Sequence, residues 1–251
     1  MLRINETLDT VNEQIKLIQR KDGLRYGTDA YLLSAYVRPA ASARAVDLGS
    51  GTGIIPLLCL TKEKYAKAYA VEVQADFADV IGRNAALNGL EDRLIPICAD
   101  LRDLKPADVG GEVNIVTANP PYMKTNAGKR NESDAKYIAR HEVMGDVDDF
   151  CAAAARLLKH GGSFYVVWRP DRLCELMESL AEYKLEPKRM SFVQSDANAE
   201  PSMVLIEAKK GAAHGLRLSP SLILSENGTQ SKRADQIYQT CSWSESDLWN
   251  I

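Results

Sequence analysis

The sequence predicts an α/β fold in which a mostly parallel sheet of seven strands carries helices on both faces and an antiparallel hairpin at one edge. Strand-like and helix-like segments alternate from about residue 44 to residue 168, as in parallel sheets that are covered by helices. A glycine-rich turn joins the first of these strands to the first helix, which is typical of a ligand-binding loop. Two later strand-like runs are separated by a polar loop, which favours a hairpin.

Length and composition agree with this fold and exclude several other classes. The chain has 251 residues, of which 45% are apolar and 26% charged, so a disordered tail, a collagen-like repeat and a coiled coil are excluded. The net charge of −3 does not indicate a nucleic-acid partner, although it leaves a local basic patch open. The N-terminus has no signal-peptide pattern, and no apolar run approaches the roughly 20 residues that a membrane span requires.

The five cysteines predict a cytoplasmic protein without a bound metal. No two of them lie within four residues of each other, so neither a zinc pair nor a redox Cys-x-x-Cys motif is present. Their odd number fits a reducing compartment better than a disulfide framework. Four lie in apolar stretches, where we expect buried free thiols: Cys59, Cys98, Cys151 and Cys174.

Hydrophobic periodicity and the residues that end each segment define the predicted elements. The strands of the alternating region are predicted at 44–48, 66–73, 94–98, 113–117 and 163–168. The helices are predicted at 53–61, 75–88, 146–159 and 172–183. Gly89 ends the second helix, and the third has an acidic first turn and a basic last turn. The hairpin strands are predicted at 189–194 and 203–208.

The two ends of the chain give weaker patterns. In the segment 25–33, Gly27 permits a turn and Thr28 can cap a helix, which predicts a capped surface helix. The last forty residues predict a strand at 216–224 and a helical turn at 233–239. We therefore expect one domain at 41–211, preceded by an extension at 1–40 and followed by an extension at 212–251 of undefined structure.

The glycine-rich turn is typical of a cofactor-binding loop. It has the sequence Asp-Leu-Gly-Ser-Gly-Thr-Gly at 47–53, and glycines at alternate positions let the backbone pass close to a ligand. Ile54 stands where a dinucleotide-binding loop would have another glycine, which favours a smaller zwitterionic ligand. Asp47 is placed to pair with the ammonium group of such a ligand.

Two further carboxylates follow the next two predicted strands. Glu72, at the end of the second strand, suits two adjacent ribose hydroxyls. Asp100, after the third strand, can accept a hydrogen bond from an exocyclic amine, while a neighbouring backbone N–H serves a ring nitrogen. Each carboxylate alone is more often a solvated turn residue. Together with Asp47, at three successive strand ends, they indicate one ligand crevice.

The fourth predicted strand is followed by Asn-Pro-Pro-Tyr at 119–122. Pro120 and Pro121 fix the backbone and remove two N–H donors, so their carbonyls and the Asn119 amide oxygen point outward as acceptors. The ring of Tyr122 adds a flat face. Acceptors aimed at one point beside an aromatic ring suit an amino group on a planar substrate, and an ordinary proline-rich turn is the alternative.

The loop at 47–53 together with Asn-Pro-Pro-Tyr resembles the class I S-adenosylmethionine-dependent methyltransferases that methylate nitrogen. The resemblance covers residues 24–208 and implies a Rossmann-like fold. The segment Arg-Tyr-Gly-Thr-Asp-Ala-Tyr-Leu-Leu at 25–33, ahead of the cofactor strand, is similar to the bacterial enzymes that methylate N6 of the adenine next to the anticodon of a valine tRNA.

The resemblance implies S-adenosylmethionine as the cofactor and a role for each site residue. The implied cofactor-binding residues are Thr28, Asp47, Gly49, Gly51, Gly53, Glu72, Asp100 and Leu101. Of these, Glu72 would bind the ribose, Asp100 and Leu101 would bind the adenine, and the others would surround the methionine part. Asn119 and Pro120 would hold the substrate amine, and Tyr122 would stack on the target base, which makes these three the predicted catalytic set.

The Asn-Pro-Pro-Tyr segment at 119–122 is called the chemistry loop below, and the surface that would bind RNA is predicted directly after it. A polar stretch at 124–142 carries several basic residues and is predicted to be a substrate loop that ends in a helix. A solvated loop of mixed charge is an equal alternative for this stretch. The predicted substrate-binding residues are Pro121, Lys124, Lys129, Arg130 and Arg140. The expected partner is a tRNA, with no membrane partner.

Two other functions share parts of the pattern. A protein-glutamine N5-methyltransferase uses the same Asn-Pro-Pro-Tyr on a side-chain amide, but such proteins usually carry a longer helical domain ahead of the cofactor loop. A methyltransferase-fold RNA-binding protein without catalysis would tend to lose one of the two loops, and both are intact here. The favoured interpretation is therefore methyl transfer to N6 of a tRNA adenine.

Overall fold

The computed structural model describes residues 2–21, 26–120 and 145–243. The strands are β1 (Glu6–Thr10), β2 (Lys16–Arg20), β3 (Arg44–Leu48), β4 (Lys67–Glu72), β5 (Leu94–Cys98), β6 (Val113–Ala118), β7 (Leu158–Trp168), β8 (Leu185–Gln194), β9 (Met203–Lys210), β10 (Arg217–Leu218), β11 (Leu222–Ile223), β12 (Ser225–Glu226) and β13 (Thr229–Gln230). The helices are α1 (Thr28–Tyr36), α2 (Ile54–Thr61), α3 (Ala75–Leu87), α4 (Val147–Leu157), α5 (Leu173–Glu182) and α6 (Lys232–Thr240). None of these helices is both long and apolar enough to cross a lipid bilayer.

The central sheet confirms the predicted α/β architecture, but within the described residues it has nine strands rather than the predicted seven, because β10 and β11 add to β8. Within the described residues its order is β10-β8-β9-β7-β6-β3-β4-β5, and β11 pairs with a second stretch of β8. The five adjacent strands β5, β4, β3, β6 and β7 run parallel to one another, while β9 is antiparallel to both β7 and β8. Helices α1, α2 and α3 bury apolar side chains in one hydrophobic cluster, and α4 and α5 bury theirs in another. The sheet is therefore covered on both faces.

The hairpin of β8 and β9 exists, but it does not form the edge of the sheet. The short strands β10 and β11 pair in parallel with the outer side of β8 and cover its backbone groups, as exposed edges require. They replace the single strand that the sequence predicts at 216–224. Pro220 lies between them and has no N–H to donate to a strand ladder, which explains the break. The helical turn predicted at 233–239 is confirmed as α6, and Ser231 caps it by accepting from the Ala234 N–H.

The boundary between α4 and β7 differs from the prediction. The helix ends at Leu157 rather than at residue 159, and the eleven-residue strand β7 begins at Leu158. The pair Gly161-Gly162, which follows the predicted helix, lies inside the strand, where the pairing with β6 shifts register. A Cβ on Gly162 would lie 2.9 Å from the Lys159 carbonyl oxygen, so the glycines accommodate this irregularity.

An N-terminal hairpin that was not predicted from the sequence precedes the sheet. Strands β1 and β2 pair antiparallel, and the side chain of Asn84 on α3 holds β2 in place. Asn84 Oδ1 accepts from the Ile18 N–H at 2.7 Å, and its Nδ2 donates to the Ile18 carbonyl at 3.1 Å and to the Thr52 carbonyl at 2.9 Å. This fully buried amide therefore joins the hairpin to the glycine-rich loop.

Helix α1 is buried, so the prediction of a capped surface helix is wrong. Seven of its nine residues, from Ala30 to Tyr36, are buried, because α1 packs against α2, β7 and α6. Thr28 is the first helical residue rather than the cap. Gly27 is the N-cap, and no side chain caps the helix there.

Two buried cations hold the C-terminal end of α1. Lys64 Nζ donates to the carbonyls of Ser34, Ala35 and Val37 at 2.6, 2.9 and 2.9 Å. The guanidinium of Arg189 lies over the Tyr36 ring, 3.7 Å from its centre, and pairs with Glu207 at 3.1 Å. Cations are favourable here because the last carbonyls of a helix lack partners within it.

The cysteine predictions hold in part. Cys59 and Cys151 are buried free thiols, but Cys98 and Cys174 are exposed. Cys98 ends β5, the last strand of the sheet on that side, where alternate side chains face solvent. Cys174 lies on the outer side of α5, whose buried residues are Leu176, Ser179 and Leu180.

Candidate functional site

The glycine-rich loop leaves β3 and enters α2 through three left-handed glycines. Gly49, Gly51 and Gly53 have φ values of +66°, +55° and +81°, which L side chains rarely adopt. A Cβ on Gly49 would lie 3.3 Å from the Phe150 ring, whereas a Cβ on Gly51 would meet no protein atom within 4 Å. The loop is therefore packed on one side and open at Gly51, where a ligand has room.

Glu72, the last residue of β4, faces this loop. Its Oε2 accepts the backbone N–H of Gly51 at 3.0 Å, and its Oε1 accepts that of Gln74 at 3.0 Å. The residue is 1% exposed, and burial raises the pKa of its carboxyl group above the ordinary value. Two backbone donors thus fix the orientation of the carboxylate at the open point of the loop.

Asp47 lies beneath the loop and is fully buried. Ser50 Oγ and Thr117 Oγ1 each donate a hydrogen bond of 2.5 Å to its two oxygens. Burial raises the pKa of this carboxyl group to about 7, and the nearby Glu72 adds to the shift against the opposing effect of the two hydroxyls. Asp47 therefore braces the loop through Ser50 and links β3 to β6 through Thr117.

Residues from three strand ends line one cleft, which includes Glu72 and Asp100 but not the buried Asp47. The lining residues are Gly49, Val71, Glu72, Val73, Ala99, Asp100 and Leu101. Arg102 binds Asp100 through its Nε at 2.9 Å and its guanidinium NH2 group at 2.5 Å, which lowers the pKa of the Asp100 carboxyl group. Arg156 of α4 donates to the Leu101 carbonyl at 2.7 Å, so the backbone beside the cleft is anchored from the helix.

The chemistry loop follows β6, which lies next to β3 in the sheet, so both loops lie at the carboxyl ends of their strands. Leu48 and Ala118 are paired in the register of β3 and β6, so the glycine-rich loop and Asn119 follow directly from paired positions. Asn119 is half-buried and Pro120 is buried. The Asn119 Nδ2 donates to Asp29 Oδ2 of α1 at 3.1 Å. The Asn119 amide and the open point of the glycine-rich loop therefore follow neighbouring strand ends.

Some predicted site residues lie elsewhere or outside the described part. Thr28 does not line the cleft of Glu72 and Asp100. It lines a second cleft of about 500 Å³ between the N-terminal hairpin, the start of α1 and Tyr238. The predicted catalytic residue Tyr122 and all five predicted substrate-binding residues lie outside the described residues: Pro121, Lys124, Lys129, Arg130 and Arg140.

Three side-chain contacts at the site were not predicted from the sequence. Thr117 holds Asp47, Arg102 holds Asp100, and Asp29 holds Asn119. Arg102 follows Asp100 at a spacing that permits a local ion pair, which is a usable sequence signal. The contact between Asp29 and Asn119 joins residues 90 positions apart, and no local pattern indicates it.

Comparisons of the sequence with known proteins agree with the α/β fold and the glycine-rich loop, because they identify methyltransferases. The family model described as "Methyltransferase small domain" matches residues 21–186. A tRNA1(Val) (adenine(37)-N6)-methyltransferase of Phocaeicola vulgatus is 28% identical over 201 residues, covering 78% of this chain and 82% of the relative. An enzyme of the same name from Dyadobacter fermentans is 26% identical over 216 residues, covering 85% of this chain and 88% of the relative.

Solved structures share the fold. A crystal structure described as a "predicted O-methyltransferase" from Agrobacterium tumefaciens has a TM-score of 0.70 and 20% identity, covering 86% of this chain and 98% of that one. The M. jannaschii protein TYW2, solved in complex with AdoMet, has a TM-score of 0.56 and 16% identity, covering 82% of this chain and 86% of that one. At these identities the likeness establishes the architecture alone.

Proposed function

The chain belongs to the methyltransferase small domain family, and from that premise we propose that it transfers the methyl group of S-adenosylmethionine to the exocyclic N6 of an adenine in tRNA. The adenine next to the anticodon of a valine tRNA is the proposed target, by analogy with the relatives that carry that activity in their names. One observation carries the proposal. Because Leu48 pairs with Ala118, the glycine-rich loop and the chemistry loop begin side by side at the ends of β3 and β6.

The described residues fit S-adenosylmethionine. The open space at Gly51 suits the methionine end, the carboxylate of Glu72 at the strand end suits the ribose hydroxyls, and Asp100 beside Leu101 suits the adenine. The full proposed set is Thr28, Asp47, Gly49, Gly51, Gly53, Glu72, Asp100 and Leu101. When bound, the cofactor supplies an electrophilic methyl group on a sulfonium centre.

The chain's own residues hold and orient the amine. Asn119 Oδ1 and the Pro120 carbonyl would each accept one amine hydrogen, which turns the nitrogen lone pair toward the methyl group. The rate gain then comes from orientation and electrostatics, and the proton can leave after transfer, so no separate base is required. Tyr122 would stack on a target base that has been turned out of the anticodon loop.

We extend the proposal to the rest of the chain. Residues 41–211 would form the methyltransferase domain, with extensions at 1–40 and 212–251. The basic side chains after the chemistry loop would contact tRNA phosphates, together with the Pro121 carbonyl at the base: Lys124, Lys129, Arg130 and Arg140.

The direct test is transfer of labelled methyl groups to unmodified tRNA. We expect the purified protein to label valine tRNA and to produce N6-methyladenosine, identified by mass spectrometry of the digested nucleosides. Cells that lack the protein should lack that nucleoside in the same tRNA. Labelling of a release-factor peptide but not of tRNA would instead favour glutamine methylation and contradict the proposal.

Replacing Gly51 by alanine should separate ligand contact from backbone strain. The new methyl group would stand in the open space assigned to the cofactor, so S-adenosylhomocysteine binding should weaken by about tenfold or more in calorimetry. Gly89→Ala is the matched control, because Gly89 has a φ of +65° and no atom near its Cβ position. Both variants should lose on the order of 1 kcal/mol of stability, but only Gly51→Ala should lose affinity. Equal affinities would contradict the assignment.

The affinity for S-adenosylhomocysteine should depend on pH through Asp47. The pKa of Asp47 is about 7 in the free protein, so below pH 7 a proton must leave before the carboxylate can attract the ligand ammonium. Affinity should therefore fall by about tenfold from pH 8 to pH 6, with proton release detectable in buffers of different ionisation enthalpy. In Asp47→Asn this dependence should disappear, which separates it from titration of Glu72. An affinity of the wild type that is unchanged between pH 6 and pH 8 would contradict the role of Asp47.

A further inference from the structure

Asn119, the first residue of the chemistry loop, forms a hydrogen bond with Asp29 of helix α1. The Asn119 Nδ2 donates to Asp29 Oδ2 at 3.1 Å, and the other oxygen of that carboxylate accepts the Ala30 N–H at 2.8 Å. A carboxylate accepts hydrogen bonds at both oxygens and donates at neither. Asp29 can therefore hold only the NH2 side of the Asn119 amide.

Asp29 is presented by a rigid support. It lies in the first turn of α1, whose next seven residues are buried and whose last carbonyls are held by Lys64. The Asp29 carboxylate occupies space that a side chain at Gly27 would fill, because a Cβ on residue 27 would lie 2.8 Å from Asp29 Oδ1. The direction of the Asn119 amide is thus set by an element that does not itself belong to the cofactor loop.

We propose that Asp29 is a positioning residue: by holding Asn119 Nδ2, it turns Asn119 Oδ1 toward the substrate and makes the site selective for an amine over a carbonyl. The proposal rests on the proposed methylation of an adenine amine. With the amide fixed this way, the side chain offers an acceptor to N6–H. An amide turned by half a rotation would offer a donor, which suits the O6 carbonyl of hypoxanthine and opposes an amine.

The experiment measures binding as well as turnover. A valine tRNA anticodon stem–loop, with either adenine or hypoxanthine at the target position, is titrated into the protein that holds S-adenosylhomocysteine. The wild type should prefer the adenine loop by about tenfold, as expected for one substrate hydrogen bond. Asp29→Asn should reduce this preference and lower kcat, because the single oxygen of an amide at position 29 cannot accept from both the Ala30 N–H and Asn119 Nδ2. The Pro120 carbonyl, which only accepts, accounts for the preference that remains. The matched control Asp235→Asn alters an acidic residue in the first turn of α6 and should change neither.

A reciprocal exchange tests whether the effect is positional. In Asp29→Asn combined with Asn119→Asp, the new amide donates to the new carboxylate, whose second oxygen again accepts the amine hydrogen. The double variant should regain the adenine preference that Asp29→Asn loses. Its kcat should also exceed that of Asn119→Asp, in which two carboxylates face each other. Retention of the full preference in Asp29→Asn, or a kcat of the double variant no higher than that of Asn119→Asp, would overturn the proposal. Because binding is read without methyl transfer, a wild type that prefers adenine but methylates no tRNA would refute the proposed activity and leave the Asp29 assignment standing. A wild type that does not distinguish the two loops would overturn the assignment directly.

Discussion

Asn119→Ala is expected to lower kcat for tRNA methylation by on the order of 10²- to 10³-fold. The substitution removes the side-chain oxygen proposed to accept an amine hydrogen, so the nitrogen lone pair is no longer directed at the methyl group. Asn119 lies at the end of β6 and forms no contact with the glycine-rich loop in the described hydrogen bonds. The affinity for S-adenosylhomocysteine should therefore stay within about twofold of the wild type, since no cofactor contact is lost.

Asn114→Ala is the matched control for this prediction. Asn114 lies on the same strand at its opposite end, where its Oδ1 accepts the Arg44 N–H at 3.1 Å. Its loss should cost some stability but leave kcat unchanged. Turnover is measured with labelled methyl groups on valine tRNA under cofactor saturation. Full activity of Asn119→Ala would eliminate its role in holding the amine.

Lys64→Met should lower the free energy of unfolding by about 3–5 kcal/mol, which corresponds to a fall in Tm of roughly 10 °C. Lys64 is 2% exposed, and burial lowers the pKa of its ammonium group. The ammonium group nevertheless supplies donors to three carbonyls at the end of α1. Methionine fills the space but leaves these carbonyls buried without that partner, at a cost that exceeds the desolvation it removes.

The control for Lys64 is Lys62→Met. Lys62 lies two residues earlier at the end of α2 and is half-exposed, so its replacement should change stability by less than about 0.5 kcal/mol. Thermal unfolding followed by circular dichroism measures both variants. A Tm of Lys64→Met equal to that of Lys62→Met would show that the three carbonyls do not depend on the ammonium group.

The sequence predicts the centre of this fold well because its signals there are local. Predicted strands at 44–48 and 94–98 coincide with β3 and β5, since a short apolar run followed by glycine or a charged turn determines each one. The glycine-rich loop and the chemistry loop were likewise recognisable from local sequence, through three glycines in the first and two prolines in the second. The bounds of β7 were missed because Gly161 permits an irregular strand as readily as a helix end.

The features that the sequence did not predict depend on distant partners. The N-terminal hairpin is held by Asn84, which is 66 positions from Ile18. The burial of α1 depends on α6 and on Lys64 and Arg189, and nothing within 28–36 distinguishes a surface helix from a covered one. Asp29 likewise acquires its contact only when β6 is placed beside β3. Contacts between residues that are distant in sequence can be identified in the folded structure but not from sequence periodicity.

The amide of Asn84 couples docking of the N-terminal hairpin to the conformation of the glycine-rich loop. Its Oδ1 accepts the Ile18 N–H, and its Nδ2 donates to both the Ile18 carbonyl and the Thr52 carbonyl. A ligand that orders this loop would therefore also favour docking of the N-terminal hairpin, and by reciprocity a docked hairpin would raise the affinity for that ligand. The hairpin would in this way contribute to the binding free energy at the proposed cofactor site, although it contributes no lining residue to the cleft of Glu72 and Asp100.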